Sequence, residues 1–160
     1  MKVLVVSDTH GVVKQFINEL EKHKDAELII HLGDHVSDAK EIQRYTDIPM
    51  RMVRGNTDYY SDNTPWIELL NLEGHKVLIT HGHNEKVSYG PATLFYKAKE
   101  CDANLAFHGH THVFFDEVIE GIRIVNPGSA GFDRGGEYES YVVMNIDKDN
   151  IEIERIRLDW

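Results

Sequence analysis

Only one cysteine, four prolines and two tryptophans occur among the 160 residues, and the 17 basic residues are outnumbered by 27 acidic ones. A single cysteine closes no internal disulfide, so the fold must rest on burial, and a chain of this length hides roughly two-thirds of the surface its unfolded form exposes. No apolar run approaches the ~20 residues that cross a bilayer, which excludes a membrane-spanning helix. The shortage of basic residues leaves a formal charge of −10. That field repels polyanions and makes long nucleic acids poor partners, although a bound cation can still draw in a small phosphate ester. Cys101 shares one helical face with Leu94 and Ala98, which marks it as core packing rather than a reactive thiol.

What is present is a series of short apolar runs. Val3-Leu4-Val5-Val6, Leu28-Ile29-Ile30, Met50 to Val53, Val77-Leu78-Ile79 and Leu105-Ala106-Phe107 read as buried strands. Val13, Phe16, Ile17 and Leu20 recur at helical spacing after the first strand, and Asp38 with Glu41 three residues on suggests a capping box opening a second helix that runs to about Tyr45. Pro91 suits the first turn of a third helix ending near Cys101. This alternation predicts an α/β layer over the first two-thirds of the chain. Beyond His112 the pattern changes to short strands at Val113–Ile119, Ile122–Val125, Tyr141–Ile146 and Ile151–Leu158, separated by turn residues, which read as antiparallel hairpins. The apolar phase slips between Ile151/Ile153 and Ile156/Leu158, which predicts a bulge in the last strand. With no Ser/Pro/Gly linker and no repeat, residues 1–160 are expected to form one domain in which two sheets pack together.

Each of the first five runs ends in a candidate metal ligand: Asp8 and His10, then Asp34, Asn56, His81, and finally His110 with His112. Loops that follow buried strands share one rim of a sheet, so groups far apart in sequence can converge there. Carboxylate, amide and imidazole donors without thiolates suit divalent Mn, Fe, Co, Ni or Zn, and a carboxylate can bridge two ions. The set reads as a two-metal hydrolytic site. His110 and His112, two residues apart, would face one side of an extended strand. Because the first of these strands begins at Met1-Lys2, a cleaved leader would remove ligands, so a cytoplasmic setting is expected.

The motifs D-x-H at Asp8 and His10, G-D at Gly33-Asp34, G-N-x-D at Gly55 to Asp58, His81 followed by Gly82-His83, and G-H-x-H at Gly109 to His112 stand in an order that resembles the calcineurin-like metallophosphoesterase superfamily. The short chain, with its Asn126-Pro127-Gly128-Ser129 turn, is most similar to the small bacterial and archaeal phosphodiesterase branch. This resemblance implies a four-layer α-β-β-α sandwich of two mixed sheets flanked by helices. It implies that Asp8, His10, Asp34 and His112 hold one divalent metal and Asp34, Asn56, His81 and His110 the other, with Asp34 bridging. It implies hydrolysis of small phosphate esters by hydroxide held between two metals, manganese being the expected ion, and it is compatible with a homodimer. Asp34, Asn56 and His81 would then act in catalysis, and Asp58 would orient a histidine or the substrate, with a plain turn role the alternative.

Where many superfamily members carry histidine in G-N-H-D, this chain has Thr57, whose hydroxyl has no useful pKa for protonating a leaving oxygen. Diesters with good leaving groups are therefore the expected substrates. A phosphomonoesterase or nucleotide phosphatase is the alternative within the enzyme class. A non-catalytic metal-binding scaffold, as in the phosphoesterase-like subunit of retromer, is the alternative outside it, though a scaffold would be expected to lose ligands. A nuclease of the DNA-repair branch would want a basic path that this chain lacks. His83 and His108 are each placed between a site role and a structural one, His35 reads as a solvated loop residue ahead of a contact to substrate phosphate, and His23, His31 and His75 are expected to be structural or on the surface. Arg134, in Asp133-Arg134-Gly135-Gly136, reads first as a solvated loop charge and only second as a group that could reach a phosphate oxygen.

Overall fold

The computed structural model describes residues 1–59, 63–134 and 137–159. Strands β1 (Lys2–Val6), β2 (Leu28–His31) and β3 (Met50–Met52) run parallel, the crossovers being supplied by helices α1 (Lys14–Leu20) and α2 (Val36–Ile42). A hairpin of β9 (Ser140–Ile146) and β10 (Ile151–Arg157) adds antiparallel to β1, giving the order β10-β9-β1-β2-β3. The second sheet takes the order β4-β5-β6-β8-β7, from β4 (Ile67–Leu72), β5 (His75–Thr80), β6 (Leu105–Phe107), β7 (Phe115–Ile119) and β8 (Ile122–Asn126). Here β5, β6 and β8 are parallel, and α3 (Ala92–Glu100) connects β5 to β6.

Strand alternation sorts the apolar residues into three layers. Val3, Val5, Ile30, Val77, Ile79, Leu105, Phe107, Val142 and Met144 meet between the sheets. Leu4, Val6 and Ile29 face outward against Phe16 and Leu20 of α1 and Ile42 of α2. Leu78, Ala106 and Ile124 face the other way against Leu94, Phe95 and Ala98 of α3. Helix, sheet, sheet and helix are thus stacked as four layers, with the central strands buried on both faces. This explains why β1 and β2 read as unbroken apolar runs. Among the described residues no helix is long and apolar enough to cross a membrane.

Two local expectations are corrected. The last strand carries no bulge, since its register with β9 is continuous from Ile151↔Ile146 to Arg157↔Ser140. The phase slip is a change of face: Ile153 packs between the sheets while Ile156 packs on the helix side. The capping box at α2 does not form, because His35 occupies the N-cap at φ 70° and the Asp38 carboxylate accepts from Gly11 N at 2.6 Å. Strand β4 went unread because its Ile67-Glu68-Leu69-Leu70-Asn71-Leu72 run has mixed periodicity. It is secured by a two-residue turn at Glu73-Gly74, both with positive φ, that pairs it with β5.

Phe16 is fully buried and lies edge-on to Tyr141 at 5.3 Å, away from the candidate site. Phe16→Ala is expected to cost about 3–5 kcal/mol, the usual loss for a buried aromatic. Urea unfolding followed by circular dichroism measures it, and a loss under about 1 kcal/mol would show that α1 contributes little to the core.

Candidate metal centre

Because β1, β2 and β3 are parallel, as are β5, β6 and β8, their C-terminal ends open on one rim, and the expected ligands follow those ends. Ligand atoms of Asp8, His10, Asp34 and His112 all lie within 4.8 Å of one another. His81 joins them, its Nε2 at 3.4 Å from Asp34 Oδ1 and 3.8 Å from Asp8 Oδ1. His110 Nδ1 stands 3.3 Å from His81 Nε2. Asn56 is exposed on the adjoining turn, where the neighbouring Thr57 N–H donates to Asp34 Oδ1 at 3.2 Å.

The backbone here is unusual in a way the sequence could not display. Asp8, His10, Asp34, His110 and His112 all have positive φ, between 46° and 71°. Residues with a Cβ avoid this region, and each costs of order 1–3 kcal/mol unless its surroundings enforce it. Five among seven candidate ligands is a concentration of strain at one site. It also corrects the expectation of a strand carrying His110 and His112: β6 stops at Phe107, and the turn that follows sends His112 toward Asp8 and His110 toward His81.

Hydrogen bonds lock this arrangement. Asp8 Oδ2 accepts from Ser7 Oγ at 2.5 Å and from His110 N at 3.0 Å. Ser129 Oγ donates to Asp8 O at 2.7 Å, and Asn126 Nδ2 donates to Gly109 O and Thr111 Oγ1, fixing the histidine turn from β8. His81 Nδ1 meets Leu32 O at 2.7 Å and His112 Nδ1 meets Phe132 O at 2.5 Å, so both rings hold their proton on Nδ1 and present Nε2 to the carboxylates. Ser7, Asn126 and Ser129 were not singled out as site residues; only the turn chemistry of Asn126 to Ser129 hinted at them. Asp58 takes the turn role of its two readings: it accepts from the N–H groups of Val36 and Gly55, each at 2.8 Å, and so braces the start of α2 against the Asn56 turn.

The remaining histidines divide. His83 lies 5.5 Å from the His81 ring and 6.2 Å from that of His110, at the rim. His35 stacks edge-on against His10 at 4.9 Å. His31 and His108 are buried, and burial pushes each down to about 4, so both are neutral. His31 is held by Thr9 Oγ1 and Gly33 N. Arg134 is exposed, and its charge acts on His10; Gly135 and Gly136 of the same loop lie outside the described residues.

Electrostatics and donor chemistry fit a cation. Asp8 Oδ1 is buried and has no hydrogen-bond partner among the described residues, while Nε2 atoms of His112, His10 and His81 surround it at 3.2–3.8 Å. Burial works to raise the Asp8 and Asp34 pKa values, but the neighbouring histidines outweigh it: Asp8 is held well below the ordinary range and Asp34 at about 2. Burial likewise opposes charge on His81, yet Asp34 and Asp8 raise its pKa, and Asp8 raises that of His10. Oxygens and imidazoles in this proportion suit a divalent ion of the first transition row.

A ligand histidine must be neutral to bind, and His10 and His81 are more readily protonated than free histidine, so metal uptake must expel protons. Calorimetric titration with Mn²⁺ is expected to show tighter binding at about pH 8 than at about pH 6, with proton release that scales with buffer ionisation enthalpy. Affinity independent of pH would contradict ligation by these two rings.

Comparison with known proteins agrees with this site. The chain is 31% identical over 150 residues to the probable metallophosphoesterase YsnB of Bacillus subtilis, covering 93% of this chain and 86% of that protein. It is 28% identical over 171 residues to phosphodiesterase YfcE of Escherichia coli, covering 92% and 89%. A crystal structure of a predicted phosphoesterase from Streptococcus pneumoniae superposes with a TM-score of 0.81 at 25% identity, covering 98% of this chain and 88% of that one. Residues 1–149 match the model of the calcineurin-like phosphoesterase superfamily domain, and on this match and these relatives the chain belongs to that superfamily.

Proposed function

We propose that this chain is a single-domain, metal-dependent phosphodiesterase that hydrolyses small phosphate esters with two divalent metals, manganese being favoured. The observation that carries the two-metal reading is the placement of Asp34: its Oδ1 faces His81 at 3.4 Å and its Oδ2 faces His10 at 3.7 Å, so one carboxylate addresses two ligand groups. Asp8, His10, Asp34 and His112 would hold one ion, and Asp34, Asn56, His81 and His110 the other. When bound, such a pair withdraws charge from phosphoryl oxygens and makes hydroxide available near neutral pH. The chain's own part is to aim Nε2 of His81 and His112 by anchoring Nδ1 of each ring on a backbone carbonyl, to hold Asp8 and Asp34 ionised, and to fix the loops through Ser7, Asn126 and Ser129. A cytoplasmic setting is part of the same reading.

Diesters are favoured over monoesters by the relationship to YfcE, named a phosphodiesterase, and good leaving groups by Thr57, which offers no acid. The test is chelator-stripped protein assayed on bis(p-nitrophenyl) phosphate and p-nitrophenyl phosphate with Mn, Ni, Co, Zn or Mg restored separately. Diester turnover restored by a transition metal supports the proposal; faster turnover of the monoester would make the chain a phosphomonoesterase. Two bound ions with no turnover of either ester would favour the scaffold, although the strained backbone of the gathered Asp and His residues speaks for catalysis. Rates across aryl diesters of graded leaving-group pKa are expected to fall steeply as that pKa rises, and Thr57→His to recover the poorest leaving groups most. A flat dependence would mean that another group supplies the proton.

A further inference from the structure

Beside the metal centre lies a second cleft of about 480 Å³, formed by Trp66 and Ile67 of the β4 entry, Asn84 and Glu85 of the loop that also carries His81 and His83, and Thr93, Tyr96, Lys97 and Glu100 on α3. Its composition is unlike that of the metal site. Glu85 is its buried wall, 8% exposed, with Oε1 accepting from Thr80 Oγ1 at 2.7 Å and Oε2 buried without a hydrogen-bond partner among the described residues. A carboxylate oxygen left so is costly unless something cationic or donating meets it. Two aromatic rings border the same space, Trp66 and Tyr96, 43% and 65% exposed, and the carboxylates of Glu85 and Glu100 face the ammonium of Lys97 and the guanidinium of Arg54. Trp66 already carries a guanidinium, that of Arg54, at 3.9 Å from its ring centre, so its π system is in use as a cation platform.

From this we infer that the cleft binds a cationic alkylammonium group, and that the favoured substrates are phosphodiesters in which one alcohol carries such a group. The inference rests on the phosphodiesterase reading and deepens it. Trp66 connects the two sites: its ring is 5.2 Å from that of His83, which is in turn 5.5 Å from His81 and 6.2 Å from His110. One imidazole therefore separates the ammonium cleft from the candidate ligands, a span suited to a short amino alcohol. Aromatic faces with carboxylates favour an ammonium, whose charge is spread over methyl groups that the rings can cover. Global charge points the same way, because a chain of formal charge −10 repels a simple dialkyl phosphate anion but not a zwitterionic ester of net charge zero. In the hydrolysis itself a water oxygen forms the new P–O bond, one ester P–O bond breaks, and the departing alcohol leaves with a proton from that water.

The test compares p-nitrophenylphosphorylcholine with p-nitrophenyl 3,3-dimethylbutyl phosphate, which has the same shape and leaving group but no positive charge, with bis(p-nitrophenyl) phosphate as a reference. The choline ester is expected to show a KM about tenfold lower than the dimethylbutyl ester, which lacks the ammonium, with similar kcat, and Glu85→Gln, which keeps an acceptor for Thr80, to shrink that ratio toward one. Equal KM values for the pair, while the reference is hydrolysed, overturn the inference and leave the phosphodiesterase reading standing. If the reference is not hydrolysed with any metal, that reading fails and the cleft is judged by binding. In Trp160→Phe protein, saturable quenching of Trp66 fluorescence by tetramethylammonium, weakened by Glu85→Gln and absent with tert-butanol, supports it. No saturable quenching overturns it.

Discussion

Asp34→Asn is expected to lower diester turnover by about 10³-fold or more and to leave the chain with fewer than two tightly held metals. The substitution is nearly isosteric, so backbone geometry and the Thr57 N–H contact to Oδ1 can persist while the charge is lost. That charge is what the site is organised around. His81 and His10 face opposite oxygens of the carboxylate, and the fold holds it ionised down to about pH 2. An amide gives one donor and one acceptor in place of two anionic acceptors and cannot bridge two cations. Metal content by atomic emission, read beside kcat, separates the roles. Two retained metals with normal turnover would refute the bridging assignment.

Gly55→Ala is expected to damage the same carboxylate from the other side. A Cβ built on Gly55 would lie 2.1 Å from Asp34 Oδ1 and 2.6 Å from Asp34 N, so relief requires backbone movement rather than a side-chain rotation. Gly55 is also pinned in place, since its N–H donates to Asp58 Oδ2 and its carbonyl accepts from Asp58 N. Overpacking of this kind costs about 1–3 kcal/mol, and misplacing a ligand by about 1 Å can cost 10²-fold in rate. Gly74→Ala is the comparison: its φ of +86° is strained for alanine, but nothing lies within 4 Å, so it should lose stability without losing activity. Equal activity for the two variants would mean that Gly55 does not position Asp34.

The two substitutions divide what is chemical at Asp34 from what is geometric, and the sequence displayed them unequally. The donors themselves were legible because each follows an apolar run, and parallel strands deliver such positions to one rim. The glycines stood in the motifs, but the reason for them is a contact between loops of different strands, Gly55 against Asp34 and Gly109 against Ser7 and Asp8. Asp58 was legible as important but not in role, because a carboxylate that caps backbone N–H groups and one that orients a histidine look alike in one dimension. The last strand misled for a related reason: a switch of burial between faces mimics a bulge when both faces of the sheet are covered.

By itself the amino-acid sequence determined the α/β alternation, the strand cores and the identity of the donor atoms, since these depend on residue type and on periodicity along the chain. Only the tertiary structure decided that Asp8, His10, Asp34, His110 and His112 take up left-handed backbone, that Ser7, Asn126 and Ser129 brace them, and that Glu85 Oε2, near Trp66, has no hydrogen-bond partner among the described residues. The physical reason is the same in each case. Strain, satisfaction of buried polar groups and close approach are set by neighbours in space, and those neighbours come from strands far apart in the chain.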